Sequence, residues 1–375
     1  MKAFKKNTFP TLGVEEEFHL IDPATADLAP RVNDVMSLLE GSLREQVCHE
    51  LLLCVLENRT GVYHTVDDLI NAIGEGRTQL AACCKKCGVD LVASGSHPFG
   101  QWRNMPYVDN DHYHWVRTTC GYIAHRLLAF GLHIHVGIQN EAAALYIMNE
   151  MRRWTYPLMA LSANSPYYEG LQTGLMSTRT HLFQSMPRTG FAPLFKHFNE
   201  LEEYYDKLIA TKDITRPGDL WWCIRPQPPL GTVEYRFFDL PTSVRRIGAF
   251  AALVQAATAT YQDAFFAGKP ASTFHPGYLE QNWWRAMKDG IRGDIVEPET
   301  GEILSLTTQF RRLVEFTHPK AVALKTEDHL TYALTMVQAG SEAELQIELC
   351  KKFNGDFRSL ERELAKETLN FPDKH

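Results

Sequence analysis

The stretch Leu12-Gly13-Val14-Glu15-Glu16-Glu17-Phe18-His19-Leu20-Ile21 decides how the chain is read. Alternation predicts a strand with Val14, Glu16, Phe18 and Leu20 on one face and Glu15, Glu17 and His19 on the other. Three consecutive carboxylates in an otherwise apolar strand are costly, because neighbouring like charges repel and carboxylates resist burial. A divalent cation removes that cost. Two carboxylates at i and i+2 project from the same face and can grip Mg²⁺ or Mn²⁺ through oxygen. The competing reading is the solvated face of an edge strand.

Working outward, other strands offer the same kind of residue. In Leu132–Ile138 the apolar Leu132, Ile134, Val136 and Ile138 face one way, and His133, His135 and Gly137 the other. That histidine pair is either metal-ligating or part of a polar core. In Thr232–Asp239 the residues Thr232, Glu234, Arg236 and Phe238 share a face. A metal-binding carboxylate beside an arginine suits a phosphate-handling site, where the guanidinium forks onto the transferring group. A same-face ion pair explains that pattern equally well. Glu57 lies in an extended region, Leu51–Val62, and Glu50 precedes it by an odd number of residues. On one ideal strand the two would face opposite ways, so both join one site only through a bulge or bend.

The segments between are helical. Thr65 with Asp68 resembles a capping box, and Val66, Leu69, Ile70, Ile73, Leu80 and Cys84 form an apolar stripe ending at Gly88. A short strand, Val89–Ala93, follows. Helices are expected over Asp111–Phe130, from Glu141 with Asn140 as N-cap, and up to about Ala210. Asn164–Ala192 reads as a long loop. Leu220–Arg225 is the hairpin partner of Thr232–Asp239 across Pro226–Gly231, and the last hundred residues are mainly helical. Strands with long helical insertions argue an α+β fold. No repeat or linker divides the chain, so residues 1–375 read as a single catalytic domain.

Composition bounds the function. With 375 residues there is ample length to bury a core. A net charge of -7 argues against a nucleic-acid binder, which needs a basic excess. The uncharged stretch Ile247–Gln262 is too short to span a bilayer and reads as a buried helix. Lys2, Lys5 and Lys6 precede Glu15 without an apolar run, and the eight cysteines are scattered; a reduced, cytoplasmic protein is expected. Cys84 and Cys87 lack the second ligand pair of a zinc site and read as a helix end. No P-loop, GxGxxG, HExxH or GxSxG motif is present, so any ATP is held by another device.

In order along the chain, these motifs resemble the glutamate–cysteine ligases of type 2, carboxylate–amine ligases of the glutamine synthetase-like superfamily. The matching stretches are Leu12–Phe18, Leu56–Val62, Gly95–Phe99, His133–Gly137, Leu161–Tyr167, Thr173–Arg179, Trp222–Pro226 and Thr232–Asp239. The resemblance implies a curved antiparallel sheet with helices on its outer face and a site on the concave face. It implies that ATP phosphorylates a glutamate-like carboxylate and that an amine such as cysteine displaces phosphate. It makes Glu15, Glu17, Glu50, Glu57, His135 and Glu234 metal ligands for Mg²⁺ or Mn²⁺, with Glu234 and Arg236 catalytic. Arg236 contacts the transferring phosphate, while Arg179 and Arg225 hold nucleotide or substrate carboxylates. The Asn164–Ala192 loop would shield the intermediate from water. Partners are small molecules, with no nucleic acid and no membrane, and a homo-oligomer is compatible. Two departures bear on the amine: Cys223 stands where the family often has an acid, and Asn58 and Arg59 make their stretch more polar than usual. Two other readings of the motifs are a metal-dependent amidase or hydrolase and an inactive binding homologue.

Overall fold

A computed structural model describes residues 4–371; Lys2 and both ends of the 1–375 span lie outside the described residues. The strand Leu12–Ile21 forms over the expected residues. It lies inside a seven-stranded sheet, which excludes the edge-strand reading of the glutamate run. On one side Glu15–His19 pair with Val55–Arg59. On the other Leu12–Glu16 pair with Gly131–Gly137, and His19–Ile21 pair with Asp90–Val92. Thr232–Asp239 and then Ile224–Gln227 continue the sheet past Gly131–Gly137, and Val47–His49 closes the far edge. Every pairing within this sheet is antiparallel.

Alternation chooses the face that the helices cover. Val14, Phe18, Leu20, Leu132, Ile134, Val136, Val233 and Tyr235 merge into one buried apolar cluster. The helix Val244–Phe266, which contains the expected buried stretch, packs into that cluster. Its Ala249, Ala252 and Ala256 are fully buried. Thr258 Oγ1 lies 2.6 Å from the Tyr235 hydroxyl on the sheet. No helix among the described residues is long and apolar enough to cross a membrane.

Glu16, the middle acid, points to this helical side. Burial pushes its carboxyl up, and Arg77 pulls against that. Arg77 is fully buried on the helix Val66–Lys86 and places Nε 2.9 Å from Glu16 Oε1. Its other nitrogens donate to the carbonyls of Pro241, Thr242 and Thr368. The helix starts as expected, with Thr65 accepting from the Asp68 N–H. Gly88 follows its end at φ 71°, the left-handed conformation that closes a helix.

The structure corrects four expectations. Asp111–Phe130 is two short helices, Asp111–Cys120 and Tyr122–His125, because Gly121 adopts φ 55° and ψ −133°, which a residue with a Cβ strongly resists. The extended region Leu51–Val62 holds a turn followed by the strand Val55–Arg59. The expected hairpin partner splits: Ile224–Gln227 joins the sheet, and Trp221–Trp222 pair in parallel with Thr189–Gly190. Finally, Phe238 leaves the face of Glu234 and Arg236. Tyr235 opposes Ile134 and Phe238 opposes Leu132, so three steps on one strand match two on the other. This bulge turns Phe238 to the helical side, where its ring lies 5.1 Å from that of Phe250. The result is an α+β fold, a curved antiparallel sheet with helices on its outer face and the opposite face open.

Candidate active site

Cross-strand register assembles the open face. Glu15 is opposite His133, Glu17 opposite Glu57, Glu234 opposite His135, Cys48 opposite Glu57, and Arg225 opposite Glu234. These side chains, drawn from six strands, lie in or beneath a trough of about 510 Å³ lined by Glu15, Glu17, Glu50, Glu57, His133 and Arg236 among others.

Three sets of potential ligand atoms lie within 4.8 Å of one another: Glu15, Glu57 and His133; Glu15, His135 and Glu234; and Glu17, Glu50 and Glu57. Glu50 thus joins its set despite the odd spacing from Glu57. The two acids are not on one strand. The chain turns at Leu53–Cys54, and the pairing of Cys48 with Glu57 sets the faces. Parity along the sequence does not carry across a turn. His133 belongs to the site as fully as His135; its shared parity with His135 was the signal. Cys48, two residues before Glu50, places Sγ 3.2 Å from Glu57 Oε1.

Electrostatics divides the floor. Burial alone would raise the Glu15 carboxyl, but His133, hydrogen-bonded to it, and the His135 ring, 3.4 Å away, hold it well below the usual carboxylate range. The same contest at Glu234 is won by the charges of Arg225, Arg236 and His135. At the other end burial, reinforced by the Glu15, Glu50 and Glu17 charges, pushes Glu57 well up. Glu50 is pushed up to about 7 by burial and by Glu17. Burial and Arg236 hold His133 down, whereas Glu15 and Glu234 raise His135 against burial.

The three arginines differ in what they leave free. Arg236 Nη1 bonds Glu234 Oε1, and its Nε is buried without a partner. The same-face ion pair is therefore real, and Nε is left as a buried donor. Arg225 spends its guanidinium on Glu234, at 2.6 Å, and on the carbonyls of Gly218 and Leu220. Arg179 is buried, reaches the Arg236 carbonyl at 3.2 Å and leaves Nε unpartnered. It requires Gly131 opposite: a Cβ there would lie 2.0 Å from Arg179 Nη2. Arg179, Arg236 and Cys223 line a small pocket beside the trough.

The Asn164–Ala192 segment is a built wall rather than a free loop. Asp239 accepts from the Asn164 N–H at 2.8 Å, from Ser165 Oγ at 2.6 Å and from Ser177 Oγ at 2.7 Å. The segment also forms the helix Thr178–Gln184 that carries Arg179. All eight cysteines are free, and Cys87 caps a helix end as expected.

Comparison with known proteins identifies the architecture first. The fold is shared with the glutamate–cysteine ligase of Francisella tularensis solved in complex with AMP, at TM-score 0.73 and 13% identity over 98% of this chain and 90% of that one. It is also shared with a bifunctional glutathione synthetase of Pasteurella multocida, at TM-score 0.72 and 13% identity over 96% of this chain and 52% of that one. At such identities the likeness shows the fold. The sequence then shows the family: glutamate–cysteine ligase family 2 (GCS2) matches residues 11–360, and the chain belongs to it. A relative from Rubrobacter xylanophilus, provisionally named glutamate–cysteine ligase 2-1, is 33% identical over 94% of this chain and 93% of its own length. Another from Gloeobacter violaceus, provisionally named glutamate–cysteine ligase 2, is 32% identical over 86% of this chain and 87% of its own. Membership supports a ligase of the carboxylate–amine kind.

Proposed function

We propose that the trough carries out ATP-dependent ligation of glutamate, through its side-chain carboxylate, to an amine, with L-cysteine the first candidate. The observation that carries this reading is the mixed-sign floor: three carboxylate-rich ligand sets beside Arg236, whose Nε is buried and unpartnered. ATP transfers its terminal phosphoryl group to the carboxylate, giving an acyl phosphate and ADP. The amine attacks the carbonyl carbon and phosphate leaves, yielding γ-glutamylcysteine, ADP and phosphate.

The residues present fit divalent cations. The donors are mostly carboxylate oxygens, the choice of Mg²⁺ or Mn²⁺. Burial and then their mutual repulsion raise Glu57 and Glu50, and the buried Nε2 atoms of His133 and His135 form no hydrogen bond. In this proposal Glu15, Glu17, Glu50, Glu57, His133, His135 and Glu234 hold the ions. When bound, such ions offset the repulsion between two anionic reactants. Arg236 grips the transferring phosphoryl group, and Arg179 binds a substrate carboxylate or the nucleotide. Arg225 is a positioning residue, since its donors are spent on Glu234 and backbone.

The test is ADP release with ATP, Mg²⁺ and L-glutamate across a panel of amines that includes L-cysteine. Amine-dependent ADP is expected, greatest with cysteine. A different best amine keeps the mechanism and changes the product. ATP bound without turnover on any amine overturns the reading and favours a metal-dependent hydrolase.

A further inference from the structure

If the ligase reading holds, the amine arrives at neutral pH as an ammonium and must lose a proton before its lone pair can attack. The floor residues are poor acceptors, being committed to arginines, to histidines or to one another. Three histidines line the trough: His49, His112 and His133. His133 lies 2.8 Å from Glu15 and 3.4 Å from Glu17. His49 engages Asn33 Oδ1 through Nε2 at 2.8 Å.

His112 belongs to none of the three ligand sets. It sits in the first turn of the Asp111–Cys120 helix, stacked on Trp115 at 5.9 Å between ring centroids. Its Nε2 is 3.8 Å from Asp219 Oδ1. Asp219 is fully buried. Its Oδ2 accepts from the Thr215 N–H and hydroxyl, both at 2.7 Å, and from the Arg216 N–H at 3.1 Å. Its Oδ1 has no hydrogen-bond partner and stands between the Arg216 guanidinium, whose Nε is 3.5 Å away, and His112 Nε2. A buried carboxylate oxygen left unpartnered is costly, and an imidazolium donor at His112 would complete it. The turn that carries Asp219 is fastened to the floor, because Arg225 bonds the carbonyls of Gly218 and Leu220 while holding Glu234. The neighbouring Tyr113 donates to the His49 carbonyl at 2.8 Å, so the helix start is anchored to the strand end just before Glu50.

We propose that His112 accepts the proton from the attacking ammonium and that Asp219 orients and balances it, as a histidine–aspartate dyad. One proton passes from the ammonium to the imidazole. The freed lone pair forms the C–N bond, the bond from carbonyl carbon to phosphate oxygen breaks, and phosphate leaves with that electron pair. The second nitrogen proton goes to the departing phosphate, and the imidazolium returns its proton to solvent as product leaves. Burial and the Arg216 charge hold the imidazole below its ordinary value, against Asp219, which favours the neutral form that can accept a proton. Arg216 and Asp219 face it from the turn, and Asp111, Tyr113 and His114 are the charged and titratable groups beside it on its own helix.

The test compares two amines in wild type, His112→Asn and His112→Gln, each with ATP, Mg²⁺ and L-glutamate: the amino-acid amine that wild type uses best, and hydroxylamine, already a free base at neutral pH. In the variants the ratio of the first rate to the second falls about 10²-fold or more, and the amino-acid rate recovers as pH rises. Equal losses with both amines make His112 structural and overturn the proposal, as does an unchanged ratio. Wild type that releases no ADP even with hydroxylamine overturns the ligase reading itself, a distinct failure.

Discussion

Glu16 and Glu17 are adjacent on one strand and live in opposite chemical settings. Glu16 faces the helices, where Arg77 reaches it at 2.9 Å and three backbone carbonyls take up the remaining guanidinium donors. Glu17 faces the trough, 3.4 Å from a histidine and grouped with Glu50 and Glu57. On the first face Glu16 has a permanent partner in Arg77, and the carboxylate serves the fold. On the second, acids outnumber the cations beside them, and the deficit is what a ligand completes. A buried charge with all partners supplied is architecture; a cluster short of partners is a candidate site.

The sharpest way to break this contrast is on the trough side. Arg236→Lys should cost about 10³-fold in kcat, because a point charge cannot replace a planar fork on a phosphoryl group. A rate near wild type would mean that Arg236 serves only Glu234, and the two faces would then be alike. On the helical side, Arg77→Leu should lower unfolding stability by about 3–5 kcal/mol by leaving Glu16 buried and unpaired. Activity per folded molecule should be unchanged. Denaturant melts that match wild type would show that Glu16 sheds its charge at no cost.

The smallest effect separates the faces by pH. Glu50 is raised from 4.5 to about 7 in the folded protein, so folding favours its protonated form. The stability it contributes is present below 4.5 and is lost as pH rises toward 7. Metal-free protein should therefore lose up to about 1.4 kcal/mol per pH unit and per proton across that window. Glu50→Gln should flatten the slope, and Mn²⁺ should release protons on binding. Glu15 and Glu234 are shifted the other way, so their contribution is lost only at more acid pH. A slope that ignores both the variant and Mn²⁺ would assign the titration elsewhere, Glu361 being the other buried carboxyl raised to about 7.

Much of the site could be read along single elements. Glu15 with Glu17, His133 with His135 and Glu234 with Arg236 share faces by strand alternation, and the structure keeps each pair together. Arg77 was legible in hindsight, since it occupies the stripe between Ile73 and Leu80. The dyad of His112 and Asp219 was not: the two are far apart in sequence, and nothing local to either marks the other.

The sequence by itself determined the first strand to the residue, the caps at Thr65 and Asn140, the buried helix around Ile247–Gln262, and the face of each acid on its own strand. Those features follow from backbone periodicity and from hydrogen bonds a few residues long. Only the tertiary structure decided that Glu50 joins Glu57 across a turn, that a bulge removes Phe238 from the floor, and that Gly121 splits a helix. It also decided that the Asn164–Ala192 segment is pinned on Asp239. Register across a turn, bulges and anchoring contacts are set by strands and side chains distant in sequence, so no local pattern encodes them.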